Sequence, residues 1–207
     1  MTDILGISCH YHDAAAALIR DGVLIAAAEE ERFTRVKHDD NFPVNAIEYC
    51  LREGGITADD LDHLVFYEKP FLKFGRILST AAYSSPFSLR LFQASMLPWL
   101  TEKLWVKGLI RDKLRLQDPD RILFSEHHLS HAASAYYCSP YSEAAVLTAD
   151  GVGEWATTTL GVGNGSDLKI LYDLKFPHSI GLLYSAFTSF LGFEVNDGEY
   201  KVMGMAP

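Results

Sequence analysis

The spacing of apolar residues changes along the chain, and the changes mark the elements. In DILGIS (3–8) apolar and polar or small residues alternate with the period-two pattern of a strand. A polar break, CHYHD (9–13), separates it from AAAALIRDG, which runs apolar into Asp21-Gly22, a dipeptide that favours tight hairpins. VLIAAAEEER follows as a third strand, so the opening predicts an antiparallel meander. The same order returns over 143–176: EAAVLTA, the break DGVGE, WATTTLGVG, a turn at Asn164-Gly165-Ser166-Asp167, then LKILYDLKF.

Between the two meanders the period is helical. Phe42-Pro43 opens a helix, VNAIEYCLREGG, closed by Gly54-Gly55. ADDLDHLVFYEK reads as a turn into a strand. Residues 71–117 carry Phe, Leu, Trp and Arg at helical spacing and predict two helices broken near Ser84-Ser85-Pro86, with the aromatic residues from Tyr83 to Trp105 mainly in core. RILFSEH predicts a short strand entering an alanine-rich helix, EHHLSHAASA, with Ser125 as its N-cap. Pro177-His178-Ser179 precedes the helix IGLLYSAFTSFLG, closed by Gly192.

A repeated meander with a helical segment after each copy is similar in layout to the two-lobed actin-like ATPase superfamily. The expected fold class is therefore α/β, with ribonuclease-H-like lobes built on mixed sheets. In that layout the turn between the first two strands of each lobe faces the nucleotide phosphates; here those turns are Cys9–Asp13 and Asp150–Glu154. The first lobe is expected over 1–142, with a helical insertion at about 71–117, and the second from 143 to 207. Because GEYKVMGMAP ends in an apolar Gly/Pro segment, the second lobe is expected to be truncated and the chain to be part of a longer one.

Composition narrows the function. The chain has 207 residues, 48% of them hydrophobic and 22% charged, an ordinary soluble balance. A formal net charge of −9 argues against nucleic acid as a partner, because a phosphate-backbone binder needs a basic footprint. Cys9, Cys50 and Cys138 are odd in number and widely separated, which excludes a disulfide framework and suits a reducing compartment. No secretion signal or bilayer-spanning run is present, so a cytoplasmic protein without membrane contact is expected.

The chemistry-bearing residues gather at the two turns. His127 and His131 stand at i and i+4 and share one helix face; Asp150, at the tip of the next strand, can complete a three-ligand metal site with open positions. Two histidines and an aspartate do not separate iron, manganese and zinc. His128 faces about 100° away on the helix and is not expected to be a ligand. His12 is suited to accept a proton from an attacking hydroxyl, with Asp13 beside it, and His10 is a candidate for acceptor contact. Both could equally form a polar turn. Gly151 and Gly153 allow close approach to an anion. Ser179 and Gly181 open a helix whose N–H groups can bind one, and Lys201 could reach the same site. Of the basic residues Arg32, Arg35, Lys37 and His38, Lys37 is the favoured ligand contact, although such a run is commonly only a solvated face.

HDAAAAL (12–18), EEERFTRVKHD (29–39), FP-x-x-AI (42–47), EHHLSHAASA (126–135), DGVGEWATT (150–158), FPHSIGLLYSAFT (176–188) and GEYKVMGMAP (198–207) together resemble the N-terminal domain of the NodU/CmcH-type O-carbamoyltransferases. The resemblance spans the whole chain. It implies iron on His127, His131 and Asp150, with a further aspartate downstream of this sequence. It implies a C-terminal domain that makes carbamoyl-adenylate from carbamoyl phosphate and ATP, and a hydroxyl of a sugar or natural product as acceptor. Similarity also extends to the ATPase that makes threonylcarbamoyl-adenosine in tRNA. A threonylcarbamoyl-transferase-like ATPase and a non-catalytic fragment of the larger enzyme are therefore the alternative readings. The acidic charge speaks against the first of these.

Overall fold

The computed structural model describes residues 1–206 apart from 86–88 and 102, and the side chains of 90, 91, 94 and 95 lie outside it. Five strands build the first sheet: β1 (Asp3–Ser8), β2 (Ala15–Arg20), β3 (Val23–Glu29), β4 (His63–Phe66) and β5 (Ile122–Phe124). They lie in the order β3-β2-β1-β4-β5, with β1–β2 and β2–β3 antiparallel and β1–β4 and β4–β5 parallel. Asp21 and Gly22 take φ of 48° and 82°, the left-handed pair that closes a two-residue hairpin. Parallel pairing of β1 with β4 needs a crossover, and a helix α2 (Val44–Gly54), preceded by the single turn α1 (Glu31–Thr34), lies within it. Helix α2 packs on β2 and β3 through Ala46, Ile47 and Cys50. Gly55 ends it at φ 65°, a conformation that costs other residues free energy. The mixed sheet and its packed helix are the expected α/β arrangement.

The stretch after β4 departs from expectation. Among the described residues it forms three helices, α3 (Pro70–Tyr83), α4 (Leu89–Thr101) and α5 (Val106–Leu114), with a 3-10 turn over Lys103–Trp105. The expected break falls at Ser84-Ser85, where α3 ends; Pro86 lies outside the described residues. The second break follows Pro98, which lies inside α4; here the Trp105 indole N–H donates to the Leu100 carbonyl at 2.7 Å, tying the end of α4 to the turn. Helix α5 is not part of an appended insertion. Its Val106 and Ile110 are fully buried with Leu5, Ile7, Leu18, Ile47, Leu64 and Phe66 in the core of the first unit. Each such aliphatic side chain contributes about 1.5–3 kcal/mol through burial. The aromatic residues divide: Trp99 is buried, whereas Tyr83 and Trp105 are exposed.

Beyond Ser125 the chain forms α6 (His127–Tyr137), β6 (Glu143–Ala149), β7 (Ala156–Asn164), β8 (Asp167–Lys175), α7 (Ile180–Phe190) and α8 (Glu199–Gly204). The three strands pair antiparallel in the order β6-β7-β8, the second meander. Helix α6 lies on this sheet: Ala132 and Tyr136 pack with Val146, and the Tyr136 ring fills the space a side chain at Gly163 would need. The Tyr136 hydroxyl donates to the Ser142 carbonyl at 2.8 Å. The chain accordingly divides into two compact units, Met1–Ser125 and a second from Glu126 onward. The expected division at 142 comes too late, because α6 buries its apolar side against β6 and β7 and so belongs with them.

Candidate functional site

Helix α6 presents its histidines through a cap supplied from far along the chain. The Glu154 carboxylate accepts from the His127 backbone N–H at 3.0 and 3.1 Å, placing a buried negative charge at the positive end of the helix. Ser125 does not serve as N-cap: Glu126 occupies that position, and the Ser125 N–H donates to the Phe66 carbonyl at 2.9 Å. His127 is buried and His131, one turn on, is exposed. Asp150 immediately follows β6. Its Oδ2 lies 2.6 Å from His127 Nε2 and 3.7 Å from His131 Nε2, and the two Nε2 atoms are 3.1 Å apart. Hydrogen bonds from His127 and then His131 hold the Asp150 carboxyl well below the usual carboxylate range, against the upward push of burial.

The residues fit a divalent ion. Two nitrogens each about 2.1 Å from one ion stand roughly 3.0–3.4 Å apart in octahedral or tetrahedral coordination, which the 3.1 Å separation of the imidazole nitrogens meets. Two neutral nitrogens and one carboxylate oxygen suit Fe(II), Mn(II) or Zn(II) and leave coordination positions open. Exposure of His131 keeps those positions accessible. His128 is excluded from the set, as expected. Its Nε2–H donates to the Ala156 carbonyl at 2.9 Å and its Nδ1 accepts from Thr148 Oγ1 at 2.7 Å, so both ring nitrogens are engaged in the core. Burial, then the charge of neighbouring His127, depresses its pKa.

The glycines of the DGVGE turn act through space rather than through N–H donation. Gly151 N–H donates to Asp150 Oδ1 at 2.6 Å and Gly153 N–H to the Ala156 carbonyl at 2.9 Å, so neither is offered to an anion as expected. A Cβ at Gly153 would crowd the His127 and His128 rings at 3.0–3.1 Å. One at Gly181 would collide with the backbone of Asp150 and Gly151. Ser179 is the N-cap of α7: its hydroxyl accepts from the Leu182 N–H at 3.0 Å and donates to the Gly151 carbonyl at 2.7 Å. Ser179 and Gly181 therefore seat α7 on the turn that aims Asp150. Lys201 is exposed on α8 and lies over the Tyr200 ring, 5.5 Å from its centre.

A second cluster belongs to the first unit. Asp13 Oδ2 accepts from His12 Nδ1 at 2.7 Å and Oδ1 from His38 Nδ1 at 3.0 Å. Burial raises the Asp13 pKa, but the bonds from His12 and His38 outweigh it and the net shift is downward. The His38 backbone N–H donates to Glu31 Oε2 at 3.2 Å, so Asp13, Glu31 and His38 stand together. His10 takes a φ of 67° and donates its backbone N–H to the Asp40 carbonyl at 2.8 Å, pinning the turn to the same segment. Lys37 is exposed beside His38. Sequence reasoning missed the partners Glu154, Glu31 and His38. Glu154 and His38 lie far in sequence from His127 and Asp13, the residues they bond, and Glu31 meets the His38 N–H only through the turn between them.

The carbamoyltransferase N-terminus family matches residues 3–207, nearly the whole sequence. The chain belongs to that family. It is 55% identical to an uncharacterized protein, sll1178, of Synechocystis sp., over 100% of this chain and 35% of that one. It is 40% identical to the nodulation protein NolNO of Sinorhizobium fredii, over 95% of this chain and 28% of the relative. The chain thus spans about a third of the length of these curated relatives. Among solved structures, YeaZ from Pseudomonas aeruginosa is 12% identical with a TM-score of 0.42, covering 84% of this chain and 66% of that one, a likeness too loose to bear on chemistry.

Proposed function

We propose that this chain is the N-terminal part of an O-carbamoyltransferase that moves a carbamoyl group to a hydroxyl of a sugar or natural product. The observation that carries the reading is the convergence of His127, His131 and Asp150 on one open point, in a chain of the carbamoyltransferase N-terminus family. These three side chains would hold a divalent metal, with Fe(II) the first choice. When bound, the ion would supply Lewis acidity toward a carbonyl or phosphate oxygen. The residues' own work is orientation. Glu154 fixes the start of α6, and Ser179 and Gly181 fix the turn that aims Asp150.

In the first unit, the Asp13 carboxylate holds His12 so that Nε2 is left to take the acceptor's proton as it attacks the carbamoyl carbon. His10 and exposed Lys37 flank this turn and would contact acceptor or phosphate. The carbamoyl group would come from carbamoyl phosphate by way of ATP-derived carbamoyl-adenylate, made by a C-terminal domain of the whole protein.

The test is elemental analysis after anaerobic purification, comparing the wild type with a His127→Ala/His131→Ala variant. Near-stoichiometric iron that disappears in the folded double variant is the expected result. A folded wild type that retains no metal, and takes up none when Fe(II), Mn(II) or Zn(II) is added, would overturn the metal reading.

A further inference from the structure

The turn between β1 and β2 is braced from several sides. The Tyr11 ring lies against His12 with centroids 4.3 Å apart. Lys73 Nζ sits 5.0 Å from the centre of the Tyr11 ring and is bonded to Glu68 at 2.7 Å in a buried pair. On the far side of Asp13 stand His38 and Glu31, with Arg32 paired to Glu29 and Glu31. His38 holds a φ of 57°, an unfavourable conformation for a residue with a side chain, and its ring is half exposed, so packing does not explain its placement.

We propose that His38 is a positioning residue for His12, acting through the Asp13 carboxylate; this rests on the reading of His12 as the base that takes the acceptor's proton. An ionised carboxylate only accepts hydrogen bonds, so both Nδ1 atoms facing Asp13 carry hydrogens. Each ring is thereby set in the Nδ1–H tautomer, and in His12 the lone pair is left on Nε2. Asp13 Oδ2 serves His12 at 2.7 Å while Oδ1 serves His38 at 3.0 Å. A carboxylate bonded through one oxygen turns readily, because its terminal torsion is broad. With both oxygens engaged its plane is fixed, and so is the ring it orients. The strained backbone at His38 is held by the Glu31 carboxylate, which accepts from its N–H at 3.2 Å. A histidine oriented by a carboxylate that is itself held by a third group is the recurring arrangement of activated bases.

The experiment reads the His12 tautomer directly, by long-range 1H–15N correlation of the imidazole nitrogens in this chain, at a pH where the rings are neutral and with a chelator present. His38→Gly removes the imidazole without straining the positive φ. His38→Asn keeps an N–H donor in a residue that tolerates that conformation. Wild-type His12 is expected as the Nδ1–H form. In His38→Gly the ratio of Nδ1–H to Nε2–H should fall several-fold, with backbone amide signals outside the two joined segments unmoved, and His38→Asn should restore most of it. An unchanged ratio in a folded His38→Gly protein would overturn the positioning role. A wild-type His12 in the Nε2–H form would instead remove the His12–Asp13 base pair itself, and with it the reading on which this role rests.

Discussion

Glu154 holds the first turn of the histidine helix with a carboxylate that no local motif announces. Replacing it with alanine removes the bifurcated charge-assisted bond that the His127 N–H makes to both carboxylate oxygens. We expect a loss of about 1–2 kcal/mol in denaturant unfolding, together with weaker metal uptake. Gly181 is as demanding. A Cβ there meets the Asp150 backbone, so Gly181→Ala should cost about 1–3 kcal/mol, read by the same titration. The cysteines differ in reactivity for a physical reason. Burial pushes the Cys9 thiol up to about 12, and Cys50 is buried and raised as well, whereas Cys138 is exposed. Iodoacetamide should therefore modify Cys138 in the native protein and reach Cys9 and Cys50 only after unfolding, as mass spectrometry would show.

At the scale of elements, α5 decides whether residues 70–114 are an appendage or part of the core. Ile110 is completely buried in the main cluster. Ile110→Ala should cost about 2–5 kcal/mol, the range for a cavity in a packed core; a cost near zero would mean that α5 is only appended. The 3-10 turn before β4 offers a pH test. The Asp60 carboxylate reaches back to the start of this turn, where it accepts from the Thr57 hydroxyl at 2.7 Å and from the Thr57 N–H at 2.8 Å. The hydroxyl bond, then the backbone bond, lowers the Asp60 pKa. A carboxylate depressed in the folded state adds stability above its unfolded value of about 3.9 and loses it as pH falls through the lower folded value. Asp60→Asn should thus melt below the wild type at pH 7, and the gap should close in strong acid.

For the whole molecule, charge is the broadest constraint. With 27 acidic against 18 basic side chains, the chain lacks the positive field that draws in a phosphate backbone. We expect no retention on immobilised RNA at about 0.15 M salt, where screening leaves only short-range contacts. Retention there would reopen the tRNA-directed reading. Among the described residues no helix is long and apolar enough to cross a membrane.

Both meanders, the crossover helix α2 and the helix that carries His127 and His131 are legible in the sequence. Each depends on local periodicity and on turn residues such as Asp21-Gly22 and Gly55, whose preferences act over a few positions. The i, i+4 spacing likewise puts the two histidines on one face by helical geometry alone. What the chain by itself does not disclose is which groups meet across long separations. The core role of α5, the packing of α6 on the second sheet, the Glu154 cap and the sharing of Asp13 by His12 and His38 are products of tertiary folding. No periodicity encodes them, because the partners lie far apart in sequence. The same holds for Gly151 and Gly153: their composition suggests an anion cradle, but the folded turn consumes their N–H groups in its own bonds. Local pattern is written in neighbouring residues; which donors remain free is decided only once every backbone group has found its partner.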